Sequence, residues 1–205
     1  MKVGPKYKIA KRLGPSVFEK TQTQKFAIAA ERSARTRSRG RGPTEFGRQL
    51  LEKQKVRITY GLSEKQFSAY VASAMGTHAG AELTPTDVLH RHLELRLDNV
   101  VYRLGLALTR RAARQMVSHG HITINGRKTT IPSRQVRVSD TIGIREGSRA
   151  LPLFEGFSER FADRTLAQWL TWDPKKMEGG VTSMPSTESA IPAGDLAAVL
   201  SFYSR

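Results

Sequence analysis

Cysteine is absent from the 205-residue chain. That removes disulfide frameworks, cysteine-ligated zinc, iron–sulfur centres and cysteine nucleophiles together. It fits a reducing, intracellular setting. Long apolar runs are also lacking. The most apolar window, Val100 to Leu108, is broken by Arg103 and falls far short of the ~20 residues a membrane span needs. Met1-Lys2-Val3-Gly4-Pro5 has no apolar run behind its positive charge, so no secretory signal is expected and the chain reads as soluble. Acid is scarce: 18 Asp and Glu face 34 Lys and Arg, a net charge of +16 at pH 7. An excess that large needs a polyanionic partner, so nucleic acid or an anionic membrane leads the list. At 39% hydrophobic and 25% charged the composition is that of a globular protein rather than a disordered one.

The positive charge comes in blocks. Residues 1–60 hold 16 Lys and Arg against 4 acids, and residues 91–149 hold 12 against 4. The stretches between and after them are near neutral, so two basic surfaces are expected on one small protein. The first block begins as a basic arm, residues 1–42, with scattered apolar residues (Ile9, Leu13, Val17, Phe18, Phe26, Ile28) and little core of its own. Its segment Arg32 to Gly42 alternates Arg with small residues. Two readings stand: a solvated tail, or an arm that orders on RNA, each arginine offering a planar fork to a phosphate.

From Pro43 the pattern turns helical. Phe46 and Leu50 lie four apart, and Ser63-x-x-Gln66 is a capping box ahead of Phe67, Tyr70, Val71, Ala74 and Met75 at helical spacing. Aromatics at that spacing are expected in the core. Thr84-Pro85-Thr86-Asp87 then supplies an N-cap, a proline at the first helical position and an acid in the first turn. The next stretch is denser in signals. Leu97, Val100, Val101 and Leu104 follow the i, i+3, i+4, i+7 rule, and Gly105 can end that helix. Thr109 caps another, in which Ala113, Met116 and Val117 face inward while Arg110, Arg114 and Ser118 stack on the opposite side. Gly120 is placed to stop it. Asn125-Gly126 between alternating residues predicts a tight hairpin, and short strands are expected at Gln135–Val138 and Thr141–Ile144 around a Ser139-Asp140 turn.

Arg96-Leu97-Asp98-Asn99-Val100-Val101-Tyr102-Arg103-Leu104-Gly105, followed in order by Thr109-Arg110, Ala113-Arg114-Gln115, Ser118-His119 and Asn125-Gly126, resembles the small RNA-binding module named after ribosomal protein S-four. The rest of the chain narrows the resemblance to the ribosomal protein family itself. Gly4-Pro5-Lys6, Phe46-Gly47, Gln49-Leu50, Glu52-Lys53-Gln54-Lys55-Val56-Arg57, Tyr60-Gly61, Gln66-Phe67, Lys176-Met177-Glu178-Gly179 and Phe202-Tyr203-Ser204-Arg205 are similar to that family over nearly the whole length.

The resemblance implies an α+β fold: a mostly helical domain, residues 43–95 completed by 190–205, into which 96–189 is inserted. The insert holds the module (helix, helix, hairpin, strands) at about 96–150, and 1–42 is the basic N-terminal arm. It implies a structural protein of the small ribosomal subunit that binds the 5′ domain of small-subunit rRNA early in assembly, recognising shape and phosphate geometry at a junction of helices. The residues implied to touch rRNA are Lys6, Lys8, Lys11, Arg12, Arg48, Lys53, Lys55, Arg57, Arg103, Arg110, Arg111, Arg114, Gln115, Ser118, His119, Arg127 and Arg134. Arg37, Arg39 and Arg41 fall where the family approaches incoming mRNA. The implied protein neighbours are S-five, at an interface that influences decoding accuracy, and S-three. The setting is a cytoplasmic ribosome, with an organelle ribosome as the other choice. No cofactor, membrane or small-molecule substrate is implied. Many members hold zinc through cysteines in the N-terminal arm, and this chain has none, so no metal is expected and the arm would be ordered by RNA alone. Residues 180–195 are also less basic than the family pattern.

The runner-up is an RNA-modifying enzyme, or a ribosome-associated factor, using the same module for targeting. Arg96-Leu97-Asp98 superficially matches the catalytic Arg-Leu-Asp of some pseudouridine synthases, but the residues after it continue a helix rather than a catalytic loop. The other account of Asp98 is a helix N-terminal charge or a salt bridge to a nearby Arg. His90 and His92 are two apart on a helix and cannot share a metal, and His119 and His121 have no third ligand nearby. No P-loop occurs, and no helix-turn-helix or zinc-finger spacing points to DNA. Trp169 and Trp172 read as packing rather than base stacking.

Overall fold

A computed structural model describes residues 3–36, 44–76, 83–154, 166–187 and 192–204. The architecture is α+β, with eight α-helices among the described residues and one five-stranded antiparallel sheet. The chain divides into two compact units. One is Met1–Leu89 with Pro192–Arg205, and the other is His90–Ile191.

In the first unit, α1 (Lys6–Leu13) buries Ala10 and Leu13 on one face and ends at Gly14, whose φ of 105° is open to glycine alone. Two 3₁₀ turns follow at Pro15–Val17 and Glu19–Thr21, held by the Thr21 hydroxyl, which lies 2.8 Å from the carbonyl oxygens of both Pro15 and Phe18 and shares its one proton between them. Helix α2 (Gln24–Thr36) then returns Phe26 to the same place. Ala10, Leu13, Val17, Phe18 and Phe26 form a buried cluster against Leu51 and Ile58 of α3 (Glu45–Thr59). The N-terminal segment thus has a core, contrary to the expectation of an arm that RNA alone would order. Its apolar residues share no single helical period; the two turns make them converge. The Arg37-to-Gly42 part of that segment lies outside the described residues.

Thr44 caps α3 by accepting from Gly47 N, and Ser63 caps α4 (Glu64–Met75) by accepting from Gln66 N. Phe67, Val71 and Ala74 are buried, whereas Met75 lies on the exposed side and Tyr70 is half-buried. In α5 (Pro85–Glu94), Thr84 and Asp87 cap each other, each side chain accepting from the other's backbone N–H. The C-terminal helix α8 (Leu196–Tyr203) is capped by Asp195 and packs along α3. A Cβ at Gly194 would press on Glu52 Oε2 and a Val56 methyl, so both side chains would have to give way to admit one.

The second unit holds α6 (Leu97–Arg103), α7 (Arg110–Ser118) and the sheet. Strands β1 (Ile122–Ile124), β2 (Arg127–Lys128), β3 (Thr141–Ile144), β4 (Leu170–Asp173) and β5 (Glu178–Val181) lie in the order β2-β1-β3-β5-β4. Asn125 (φ 50°) and Gly126 (φ 76°) both take left-handed backbone, as the tight β1–β2 turn demands. The core joins Leu97, Val100, Val101 and Leu104 of α6 and Ala113, Met116 and Val117 of α7 to Ile122, Ile124, Ile142 and Ile144 of the sheet. Trp169 is fully enclosed in it and Trp172 packs against its edge, which is the packing role expected of both.

Gln135–Val138 is not a strand. Gln135 makes one isolated bridge to Arg96, Val136 N donates to Leu95 O, and the left-handed Ser139 (φ 73°) turns the chain away. The sheet is completed instead by β4 and β5, where a Cβ on Gly179 would collide with the Thr171 carbonyl and the Trp172 ring.

Candidate nucleic-acid interface

Helix α7 is strongly amphipathic. Ala113, Met116 and Val117 are buried, and Arg111, Gln115, Ser118 and the following His119 are exposed. Arg110 and Arg114 flank that strip half-buried, leaning toward α6. The outward row is therefore 111–115–118, with 110 and 114 as its border, rather than 110–114–118. Thr109 accepts from Ala112 N at the start. At the end, Gly120 (φ 76°) lets the chain leave, and a Cβ there would run into the Lys128 side chain.

Beneath α7 lies a polar network of unusual depth. Arg96 is 0% exposed and Asp98 4%. They form a two-pronged pair, Nε to Oδ1 at 3.0 Å and Nη2 to Oδ2 at 2.7 Å. Arg114 Nε also approaches Asp98 Oδ2, at 3.4 Å. The backbone helps hold Asp98, whose N–H donates to Pro132 O at 3.0 Å. Glu94, fully buried, accepts Nε and Nη2 of Arg103 at 2.9 and 2.8 Å. The like-charge repulsion expected between Arg110 and Arg114 one turn apart is offset by a separate partner for each: Asn99 Oδ1 for Arg110, at 2.9 Å, and Asp98 for Arg114. The salt-bridge account of Asp98 is the one that the geometry supports. A carboxylate closed between two guanidinium groups offers a substrate no approach, which weighs against the modifying-enzyme reading.

Arg134 sits in the loop whose carbonyl accepts from Leu97 N at 2.9 Å, next to the start of α6, and Arg127 lies exposed in β2. Sequence reasoning missed a second cationic corner. The rings of His119 and His121 are 6.1 Å apart, and Arg145 N donates to His121 O at 2.8 Å. Burial first, then the charges of His119, Arg145 and Lys128, push the His121 imidazole below its usual value. Neither Lys128 nor Arg145 belongs to a helical period, so only the strand pairing could have found them. Among the described residues no group of three or more His, Asp or Glu is arranged to hold a metal, and no helix is long and apolar enough to cross a membrane.

In the first unit, Lys8, Lys11 and Arg12 on α1 and Arg48 on α3 are exposed, while Lys6 lies 5.7 Å from the Phe18 ring centre. The remaining α3 cations have partners within the fold. Lys53, with a side chain 11% exposed, bonds Glu64 Oε1 at 2.7 Å and lies 4.5 Å from the Phe202 ring centre and 5.4 Å from that of Tyr203. Arg57 reaches Glu64 Oε2 at 3.4 Å, Lys55 reaches Glu52 at 3.6 Å, and the Tyr203 hydroxyl donates to Glu64 at 2.7 Å. Arg37, Arg39 and Arg41 lie outside the described residues.

Burial raises the Glu64 carboxyl, but hydrogen bonds from Lys53 and Tyr203 and the charges of Lys53 and Arg57 bring it below its usual value; burial and Glu64 push the Tyr203 hydroxyl up. A carboxylate with a depressed folded-state value stabilises the fold above its unfolded value and ceases to do so as pH falls through the folded one. Glu64→Gln is therefore expected to cost about 0.5–1 kcal/mol at pH 7, a figure kept small because the site is solvent-screened. The gap to the parent should close in strong acid. Thermal melts followed by circular dichroism at neutral and acidic pH check it.

Residues 95–142 match the S4 domain and residues 2–92 the ribosomal protein S4/S9 N-terminal domain. The chain is 43% identical to the small ribosomal subunit protein uS4 of Roseiflexus castenholzii, across 99% of its own length and 98% of that protein's. It is 39% identical to uS4 of Limosilactobacillus fermentum, covering 98% of each chain, and 38% identical to uS4 of Enterococcus faecalis, covering 98% and 97%. With coverage that complete at these identities, the chain belongs to the ribosomal protein S4 family.

Proposed function

We propose that this protein is a structural constituent of the small ribosomal subunit in the cytoplasm, and that it binds the 5′ domain of small-subunit rRNA early enough to nucleate assembly there. The observation that carries the reading is the α7 face: two arginines braced from below border an exposed row of Arg111, Gln115 and Ser118 within an S4 domain. A generic basic protein needs no such bracing, whereas a duplex junction read by phosphate geometry rewards it. His119, Arg103, Arg127 and Arg134 are the further rRNA contacts of the second unit. In the first unit the contacts come from Lys6, Lys8, Lys11, Arg12 and Arg48. Lys53 and Arg57 contribute to RNA binding mainly by holding α3, α4 and α8 in place, and Lys55 meets the RNA from the same helix. Arg37, Arg39 and Arg41 bind incoming mRNA, and proteins S-five and S-three are the neighbours, the former at a contact that bears on decoding accuracy.

The test is titration of the full chain with a transcript of the 5′ domain, in excess tRNA, across a salt series. Binding that survives tRNA, with log K falling linearly in log salt at a slope reporting several phosphate contacts, is the expected result. Binding abolished by tRNA would reduce the protein to a non-specific polyanion binder and overturn the reading.

A further inference from the structure

Helix α6 meets Arg110 with two side chains one helical turn apart. Asn99 Oδ1 accepts from Arg110 Nε at 2.9 Å, and the Tyr102 ring centre lies 4.4 Å from the guanidinium carbon. Residues three apart share a helix face, so both supports come from one surface. Asn99 is 2% exposed, and its own orientation is forced. Its amide nitrogen donates to the carbonyl oxygen and to Oε2 of Glu94, both at 3.0 Å. A flipped amide would turn its NH₂ group toward the Nε–H of Arg110 and its oxygen toward the Glu94 carboxylate, leaving both contacts repulsive. Glu94 is in turn clamped by Arg103.

Resting on the α7 surface as the RNA-binding face, we propose that Asn99 and Tyr102 are positioning residues for rRNA binding. Asn99 fixes Nε of Arg110 and Tyr102 fixes the plane of its guanidinium, so that the fork is set before a phosphate arrives. An arginine on an unsupported helix face loses several rotamers when it grips a phosphate, and that loss weakens binding. An arginine already anchored is spared most of it, as a supporting shell does for any pre-organised site. A structural role alone would require Asn99 only to satisfy Glu94. Its oxygen goes instead to a residue of the surface that RNA would meet.

The test is the affinity of the full chain for the 5′-domain transcript at fixed salt, with melting temperature recorded for every variant. Tyr102→Phe keeps the ring and should bind like the parent. Tyr102→Leu and Asn99→Ala should each lose about three- to tenfold. In an Arg110→Ala background neither should lose anything further, because each acts through that arginine. Full, additive losses in that background would overturn the inference while leaving the RNA-binding face intact. If Arg110→Ala alone leaves affinity unchanged, Arg110 meets no phosphate and the inference is overturned, while the α7 surface still stands on Arg111 and Arg114. Should Asn99→Ala not fold, the Tyr102→Phe and Tyr102→Leu pair decides the matter in both backgrounds.

Discussion

Replacing Arg110, Arg111 and Arg114 together by alanine should weaken binding to the 5′-domain transcript by about a hundredfold or more at moderate salt. Each lost phosphate contact should also flatten the log K against log salt slope by roughly 0.7–0.9. The two readouts separate charge from folding. A destabilised protein binds less at every salt concentration with its slope kept, whereas a protein stripped of phosphate contacts loses slope. Arg111→Ala alone is the cleanest component, since Arg111 is exposed and braces nothing described, whereas Arg114 also neutralises Asp98 and Arg110 satisfies Asn99. A triple variant with full affinity and unchanged slope would remove α7 from the interface.

Asp98→Ala is expected to destabilise the second unit by about 3–5 kcal/mol. The reason is what it leaves behind: the Arg96 guanidinium, 0% exposed, without the carboxylate that takes both its Nε and Nη2. Ion pairs of this depth add little against an apolar pair of equal volume, because desolvating two charges consumes most of their attraction. The double change Arg96→Met with Asp98→Leu should therefore cost less than Asp98→Ala. Both tryptophans of the chain, Trp169 and Trp172, lie in this unit. Their fluorescence during urea unfolding reports it separately from the first unit. A cost below about 1 kcal/mol would place Asp98 among screened surface pairs, against its burial.

The best-read part of the sequence was the part whose signals are local. Thr109, the buried triad of α7, Gly120 and the Asn125-Gly126 turn each act within a few residues, and each is found in its expected role. The N-terminal core was invisible because it is tertiary: Phe18 and Phe26 become neighbours only after two 3₁₀ turns, and their partners Leu51 and Ile58 lie in another helix. Strand β5 hid for another reason. Glu178-Gly179-Gly180-Val181 has no alternation to read, yet Gly179 is needed so that the Trp172 ring can cross the backbone. Val136 and Val138 alternate as a strand should, but Val136 N binds Leu95 O ahead of α6 while Val138 stays exposed.

The candidate surface was legible in its outline and not in its mechanics. Periodicity places three arginines on one helix, but it does not show that Arg110 and Arg114 lean inward onto Asn99 and Asp98. Nor does it show that Lys53 and Arg57 converge on Glu64, which is set by the packing of α8 against both α3 and α4.

The central claim is that RNA lies along α7 and the neighbouring β1–β2 hairpin. Ultraviolet cross-linking of the full chain to the 5′-domain transcript, with mapping of the linked peptides by mass spectrometry, tests it most directly. Cross-links are expected in 110–119 and in 127–134, and they should be lost in excess unlabelled 5′-domain transcript but retained in excess tRNA. Cross-links confined to 170–187, or spread over every lysine- and arginine-bearing segment and erased by tRNA, would contradict it.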